Sequence, residues 1–491
     1  MPSSSPALAL CWQDLYCSRN GFCLDGVGRG FGRHYLVCWA LALLACFASA
    51  PAAAQMPFGG AGWDTDPKAP TFAAATSKAA DALTIDAALL SVPQHFVTPG
   101  QVALLSTGTI DATPAINAGL ASGSLMIPCG LYSLHEPLAP INRDGAALIG
   151  ISRACVTLRA DFSAGDAITL GAVGGPGLGP KFTELRGFTL LAGMPHTSGT
   201  GIRVGTHYDA SIDEINVSGS WGDGITVHGG GAGAITRIHH FWMGAITGSS
   251  GGACIRLVAF AIDTYISQGN TNQCVNALRV DSASGVYADH LDFYGSTGTG
   301  ILFDPSVAAG DRVFGAWLTT VLSDTSTLDN LLLDGDGPLA DLHLANSWFS
   351  SSRTGHGIAV TNPALNALDL VTTKILNNHS DGIKILAGRR ISIGAGSRVE
   401  MNSRGSAGLG NGITIGSAAS YITIMGAASG PGGTIEAQDV VNQQAYGLAV
   451  AAGVTHLIVQ GNQMDGNITG GCSIAAAGAT VHVAGNDGSG C

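Results

Sequence analysis

A short phrase, Gly-x-Gly-Ile-x-aliphatic, keeps returning in this chain and limits what it can become. It stands at Gly199–Val204, Gly222–Val227, Gly298–Phe303, Gly355–Val360 and Gly410–Ile415. Looser copies occur at Ala253–Leu257, Asn276–Val280, Asn330–Leu333, Asp381–Ile385 and Tyr446–Val450. The aliphatic anchors are then Ile202, Ile225, Ile255, Leu278, Ile301, Leu331, Ile358, Ile383, Ile413 and Leu448, spaced by 23, 30, 23, 23, 30, 27, 25, 30 and 35 residues. A period in the twenties marks a solenoid. Each copy couples a glycine turn to a short alternating strand whose anchor points inward. One such unit cannot bury its apolar face alone, so the copies must stack.

Helical repeats would need long segments of 3.6-residue period, which are nearly absent after residue 122. The chain holds 71 glycines, which disfavour helix interiors and suit corners of positive φ. Stacked short strands give an all-β parallel β-helix with rungs about 4.8 Å apart. The longer spacings are rungs with a corner loop, and Leu148 and Ile168 are expected as earlier anchors. Charged residues make up 11% of the chain and hydrophobic ones 46%, which suits a coil clothed in Ser, Thr, Asn and Gly. A net charge of −12 without a basic cluster argues against nucleic acid. A polyanionic substrate would need local Arg or Lys.

Residues 1–54 read as an export signal. Arg29, Arg33 and His34 form a basic flank, Tyr35 to Ala50 is an uncharged apolar run, and Ala52–Ala54 supplies a small-residue cleavage site. A membrane anchor is the alternative, but the run is short of the roughly 20 residues a span needs. The stretch before Arg29 is longer than such signals carry, so the translation start is expected downstream of Met1, near Val27. Five cysteines lie in the first 46 residues and leave with the signal. The other six fall into sequential pairs, which predicts the disulfides Cys129–Cys155, Cys254–Cys274 and Cys472–Cys491 in a secreted or periplasmic protein. Six free buried thiols are the alternative; without a Cys-x2-Cys spacing zinc is not expected. Residues 55–105 read as an extension or linker with one weak helical stretch, Ser77 to Leu90, and residues 106–491 as the solenoid. The Gly- and Asn-rich tail from Gly461 to Cys491 is expected to close its far end.

The solenoid opens on Asp111-Ala-Thr-Pro-Ala-Ile-Asn-Ala-Gly119, a helix start with Asp111 as N-cap, followed by Gly123-Ser-Leu-Met-Ile-Pro-Cys-Gly-Leu-Tyr-Ser-Leu134. This combination resembles the opening of the pectate-lyase-like β-helix superfamily, tailspike-type proteins included. The resemblance implies a right-handed coil with a capping helix at its N-terminal end. It leaves the reaction open, since that superfamily holds lyases, hydrolases, epimerases and non-catalytic proteins. Trimerisation, which tailspike relatives use, stays open too. Gly355-His356-Gly357 is similar to the G-H-G of polygalacturonases. The N-T-D and D-D that accompany it there are missing, and Gly382-Ile-Lys384 is the nearest to their R-I-K. His356 also fills the variable slot of the repeat phrase and is read that way. No pectate-lyase-type R-x-P-x-x-R is present.

Residues eight to twelve past successive anchors give a candidate column: Asp213, Arg237, Asp263, Asp289, Arg312, Asp341 and Asp369. Stacked carboxylates would stand about 5 or 10 Å apart on adjacent or alternate rungs, bracketing what retaining and inverting glycosidases need. Asp263, Asp289 and Asp341 are the catalytic candidates. Asp213, Arg237, Arg312, His290 and His343 are candidate substrate contacts, the arginines for a uronate. The same acidic cluster is able to hold Ca²⁺; no other cofactor is implied. Asp at solenoid corners also serves simply to bond the turn backbone. Aromatic residues crowd between 221 and 349, and Trp242, Tyr265, Trp317 and Trp348 would meet sugar rings. Interior stacking is the alternative for each. Asn216, Asn330, Asn346, Asn411 and Asn462 read as stacked turn asparagines. The expectation is an exported β-helix acting on a polysaccharide by hydrolysis or elimination, with a non-catalytic carbohydrate-binding or surface-structural coil as the rival.

Overall fold

The computed structural model describes residues 93, 97–172, 179–229, 234–248, 252–405, 407–430, 443–477 and 480–491. The expected export signal, its membrane-anchor alternative and the Ser77 to Leu90 stretch lie outside the described residues. The described chain is a parallel β-solenoid of about 13 turns. All ten anchors stand in one register, each the Cα partner of the next, from Ile202–Ile225 to Ile413–Leu448. None is more than 1% exposed. Ile168 joins the same seam below Ile202, and Cys472 joins it above Leu448.

Two further seams complete a three-sided coil. One passes through Leu185, Ile212, Ile238, Ile266, Ala288 and Leu318. Leu148 pairs with Leu185 and belongs to this second seam rather than to that of the repeat phrase. The third passes through Leu158, Leu190, Val217, Met243 and Thr271 to Phe293. Inside it, buried amides form a ladder: Asn330 Nδ2 donates to Asn378, Asn378 to Asn402, and Asn402 to Gln444, over 2.9–3.1 Å. The ladder pairs buried amides with one another, as a dry interior favours, while Asn330 Oδ1 at its end has no hydrogen-bond partner.

The glycines of the phrase serve close approach more than positive φ. A Cβ on Gly382 would meet the Gly412 carbonyl oxygen at 2.7 Å. The left-handed positions among the described residues are shared about equally between glycine and other residues. One corner file holds Glu214, His240, Gln268, His290, Thr320, Asn346 and Thr372, with φ between 47° and 56°. Here a single residue turns the chain from the second side to the third, so the strands Ala261–Asn272, Ala283–Tyr294 and Val313–Asp324 run across both.

Two helices precede the regular turns, Pro99–Leu105 and Thr113–Ser122. The second lies where the sequence places one, with Ile116 and Leu120 in the core. Its N-cap is Ala112 rather than Asp111. Asp111 still serves the first turn, because its Oδ1 accepts from Thr113 N at 2.9 Å and Thr113 Oγ1 at 2.6 Å. The three expected disulfides are present, with Cα separations of 4.8, 5.6 and 5.0 Å. The tail forms the last turn, Gly470–Ile474 pairing with Tyr446–Val450 and Val481–Ala484 with Thr455–Gln460. No helix among the described residues is long and apolar enough to cross a membrane.

Candidate functional site

The register separates the expected acidic column into several files. Asp263 and Asp341 occupy one left-handed corner file, with φ of 41° and 58°, three turns or about 14 Å apart. Asp213 and Asp289 share another file, also three turns apart, with His239 and Ser267 between them. No two of the catalytic candidates Asp263, Asp289 and Asp341 are therefore file neighbours. The physical reason is that offsets of eight and eleven differ by an odd number on strands of period two, and corner residues shift the count again. Asp289 bonds His290 at 2.7 Å, Asp213 bonds His240 at 2.8 Å, and His343 lies 3.2 Å from Asp369. Arg237 is ion-paired with Asp209. The Arg312 guanidinium sits 4.4 Å from the Phe260 ring centroid. The acidic cluster read as able to hold Ca²⁺ is thus dispersed. Among the described residues no group of three or more His, Cys, Asp or Glu side chains is placed to hold a metal.

The aromatic candidates divide by what their ring faces do. On the second side, Arg237, Tyr265, Tyr287, Trp317, His343 and Asp369 form one file. Tyr265 and Tyr287 stack at 4.6 Å, Tyr287 and Trp317 at 5.0 Å, and Trp317 and His343 at 5.8 Å, all within 11° of parallel. These faces cover one another, so the file is a structural ladder more than a sugar platform. On the third side, Trp242, Asn270, Asp292, Leu322 and Trp348 occupy successive turns of one file. Trp242 lies against Gly244, where a Cβ would stand 2.6 Å from the indole Cη2. The six-membered ring of the indole thus lies close to this glycine, and Trp242 is 41% exposed. Trp348 is 39% exposed.

Asp292 and Asp324 stand between these two tryptophans. Tyr294, two residues past Asp292, is the Cα partner of Asp324, so the two carboxylates are diagonal neighbours on adjacent turns. Asp292 Oδ2 accepts from Asn270 Nδ2 at 3.0 Å, while its buried Oδ1 has no hydrogen-bond partner. Burial raises the Asp292 carboxyl above the ordinary aspartate range, the Asp324 charge adds to the rise, and the Asn270 bond opposes it. Asp324 Oδ1 accepts from Ser350 Oγ at 2.8 Å. One carboxyl is thus biased towards the acid form beside one held by a hydroxyl donor. Sequence reading passed over Asp292, Asp324 and Asn270 because they follow the corner residue, where the inside–outside count restarts.

A second group lies on the first side. His356 Nε2 is 3.4 Å from Lys384 Nζ, and Asp329 Oδ1 accepts the His356 backbone N–H at 2.6 Å. With Asp381, Ser380 and Ser403 the first two line a depression of about 290 Å³. His356, in the variable slot of the repeat phrase, thus meets Lys384 of Gly382-Ile-Lys384. Asp381 is tied at Oδ1 to Asn411 N at 2.6 Å and Thr414 Oγ1 at 3.1 Å.

No family model matches the chain, nor does any curated protein sequence. Among solved structures, tailspike protein 3 of bacteriophage CBA120 matches at 13% identity with a TM-score of 0.54. That match covers 83% of this chain and 63% of the tailspike, so this chain spans less than two thirds of its length. The A-module of the Azotobacter vinelandii mannuronan C-5 epimerase AlgE6 matches at 13% identity with a TM-score of 0.47, covering 81% of this chain and 98% of the module. At such identities the likeness is one of fold. The chain has the parallel β-helix fold that this tailspike also has.

Proposed function

We propose that the protein is an exported enzyme that hydrolyses a polysaccharide along the third side of the coil. The observation that carries this reading is the carboxyl pair Asp292–Asp324 set between the exposed indoles of Trp242 and Trp348. Each tryptophan is two turns, about 10 Å, from Asp292, a spacing that suits an extended chain crossing the turns. The polarised C–H faces of sugar rings pack against the electron-rich indole faces. Asp292, holding its proton, would donate it to the leaving glycosidic oxygen. Asp324, ionised, would attack the anomeric carbon or activate a water for that attack. Three disulfides suit an oxidising compartment outside the cytosol.

The test is release of reducing ends from a panel of neutral and acidic glycans. Asp292→Asn should lower kcat by about a hundredfold or more, the usual contribution of a general acid, while glycan binding persists. Trp242→Ala should weaken binding. Unchanged turnover in Asp292→Asn would remove the reading. Binding without turnover of any glycan would leave a carbohydrate-binding coil in its place.

A further inference from the structure

The strip on the third side has an electrical direction. From Asp292 its file runs on through Leu322 and Trp348 to Lys374 and Arg398. The Lys374 ammonium lies 5.3 Å from the Trp348 ring centroid, and among the described residues it has no ion-pair partner. Arg398 Nε bonds Glu400 Oε1 at 2.6 Å, which neutralises Glu400 and leaves the Lys374 charge uncompensated. On the other side of Asp292 the file holds Asn270 and Trp242, both uncharged. The chain as a whole carries −12 and repels polyanions. An uncompensated cation at one end of an aromatic strip is a local exception, and such a site concentrates anionic ligands.

We propose that Lys374 is an anion subsite, and that the glycan on this strip carries carboxylates. A carboxylate held at Lys374 would lie three turns, about 14 Å, from Asp292. The charged residue is then recognised away from the bond under attack. This inference rests on the third side being the glycan site, so its test reads binding rather than turnover.

The test compares a polyuronate with the same polymer after reduction of its carboxyl groups, using the full chain bearing Asp292→Asn. The polyuronate should bind more tightly, and added salt should weaken it more than the reduced polymer. Adding Lys374→Met should weaken the polyuronate about tenfold, some 1.4 kcal/mol, and leave the reduced polymer unchanged. Lys181→Met, an equal change of charge off the strip, should alter neither. Equal binding of the two polymers, no binding of the polyuronate, or indifference to Lys374→Met would overturn the inference. Failure of the glycan-site reading shows differently, as turnover that survives Asp292→Asn or as binding indifferent to Trp242→Ala.

Discussion

Burial and the Asp324 charge keep Asp292 protonated to higher pH than an ordinary aspartate. A general acid must carry its proton, so activity should fall only as pH rises through this raised pKa. Asn270 favours the ionised form through its hydrogen bond. Asn270→Ala should therefore move the alkaline limb of kcat/KM to higher pH, and an unmoved limb would show that Asp292 is not the titrating acid. His228 bears on stability instead. Burial, with Arg203 and Arg256 nearby, lowers its pKa from 6.5 to about 4. The unfolded chain then binds a proton that the folded chain refuses between those values. Stability from this residue is complete above 6.5 and is lost as pH falls towards 4. The urea midpoint should fall over that window, and His228→Gln should lose that part of the decline. Asp292 was hard to see in the sequence for a local reason. Asp289 and His290 both face outward before Leu291 turns in, so a strict alternation carried past Asp289 puts Asp292 on the wrong side.

At the scale of the strand, the left-handed corners decide which side chains share a file. Gly315 has φ of 70°, and a Cβ there would stand 2.7 Å from the Trp317 indole Cη2. Gly315→Val should cost about 2 kcal/mol through the backbone alone and also push Trp317 from its stack. A drop in melting temperature with altered near-ultraviolet circular dichroism would check this, and an unchanged melt would refute it. The corner between the second and third sides leaves a trace in sequence that is clear only once the coil is known. His239–His240, Ser267–Gln268, Asp289–His290 and Thr319–Thr320 are outward doublets followed by a buried or backbone-only position. At Asp289–His290 and Thr319–Thr320, inside twelve-residue strands with no Gly or Pro at the bend, such a doublet gives no turn signal.

At the scale of the molecule, each turn touches chiefly its two neighbours, so damage at one end should stay there. Replacing Cys472 and Cys491 by serine opens a link of 19 residues, with an expected loss of about 3 kcal/mol. Hydrogen exchange should quicken over residues 470–484 and stay slow over 255–303, whereas uniform loss of protection would contradict a coil of local contacts. The coil was legible because Ile202 to Leu448 repeat a phrase whose period survives insertions. The site was not, because corner loops of unequal length hide which residues of successive turns coincide. The coincidence itself has a consequence for what the protein can measure. Trp242, Asp292 and Trp348 are separated by whole coils, so a loop that lengthens at a corner leaves their distances untouched. Only the gain or loss of an entire coil resets them, and then by one fixed graduation. A polymer held along this side would be gripped by a ruler whose marks evolution can add or erase but not slide.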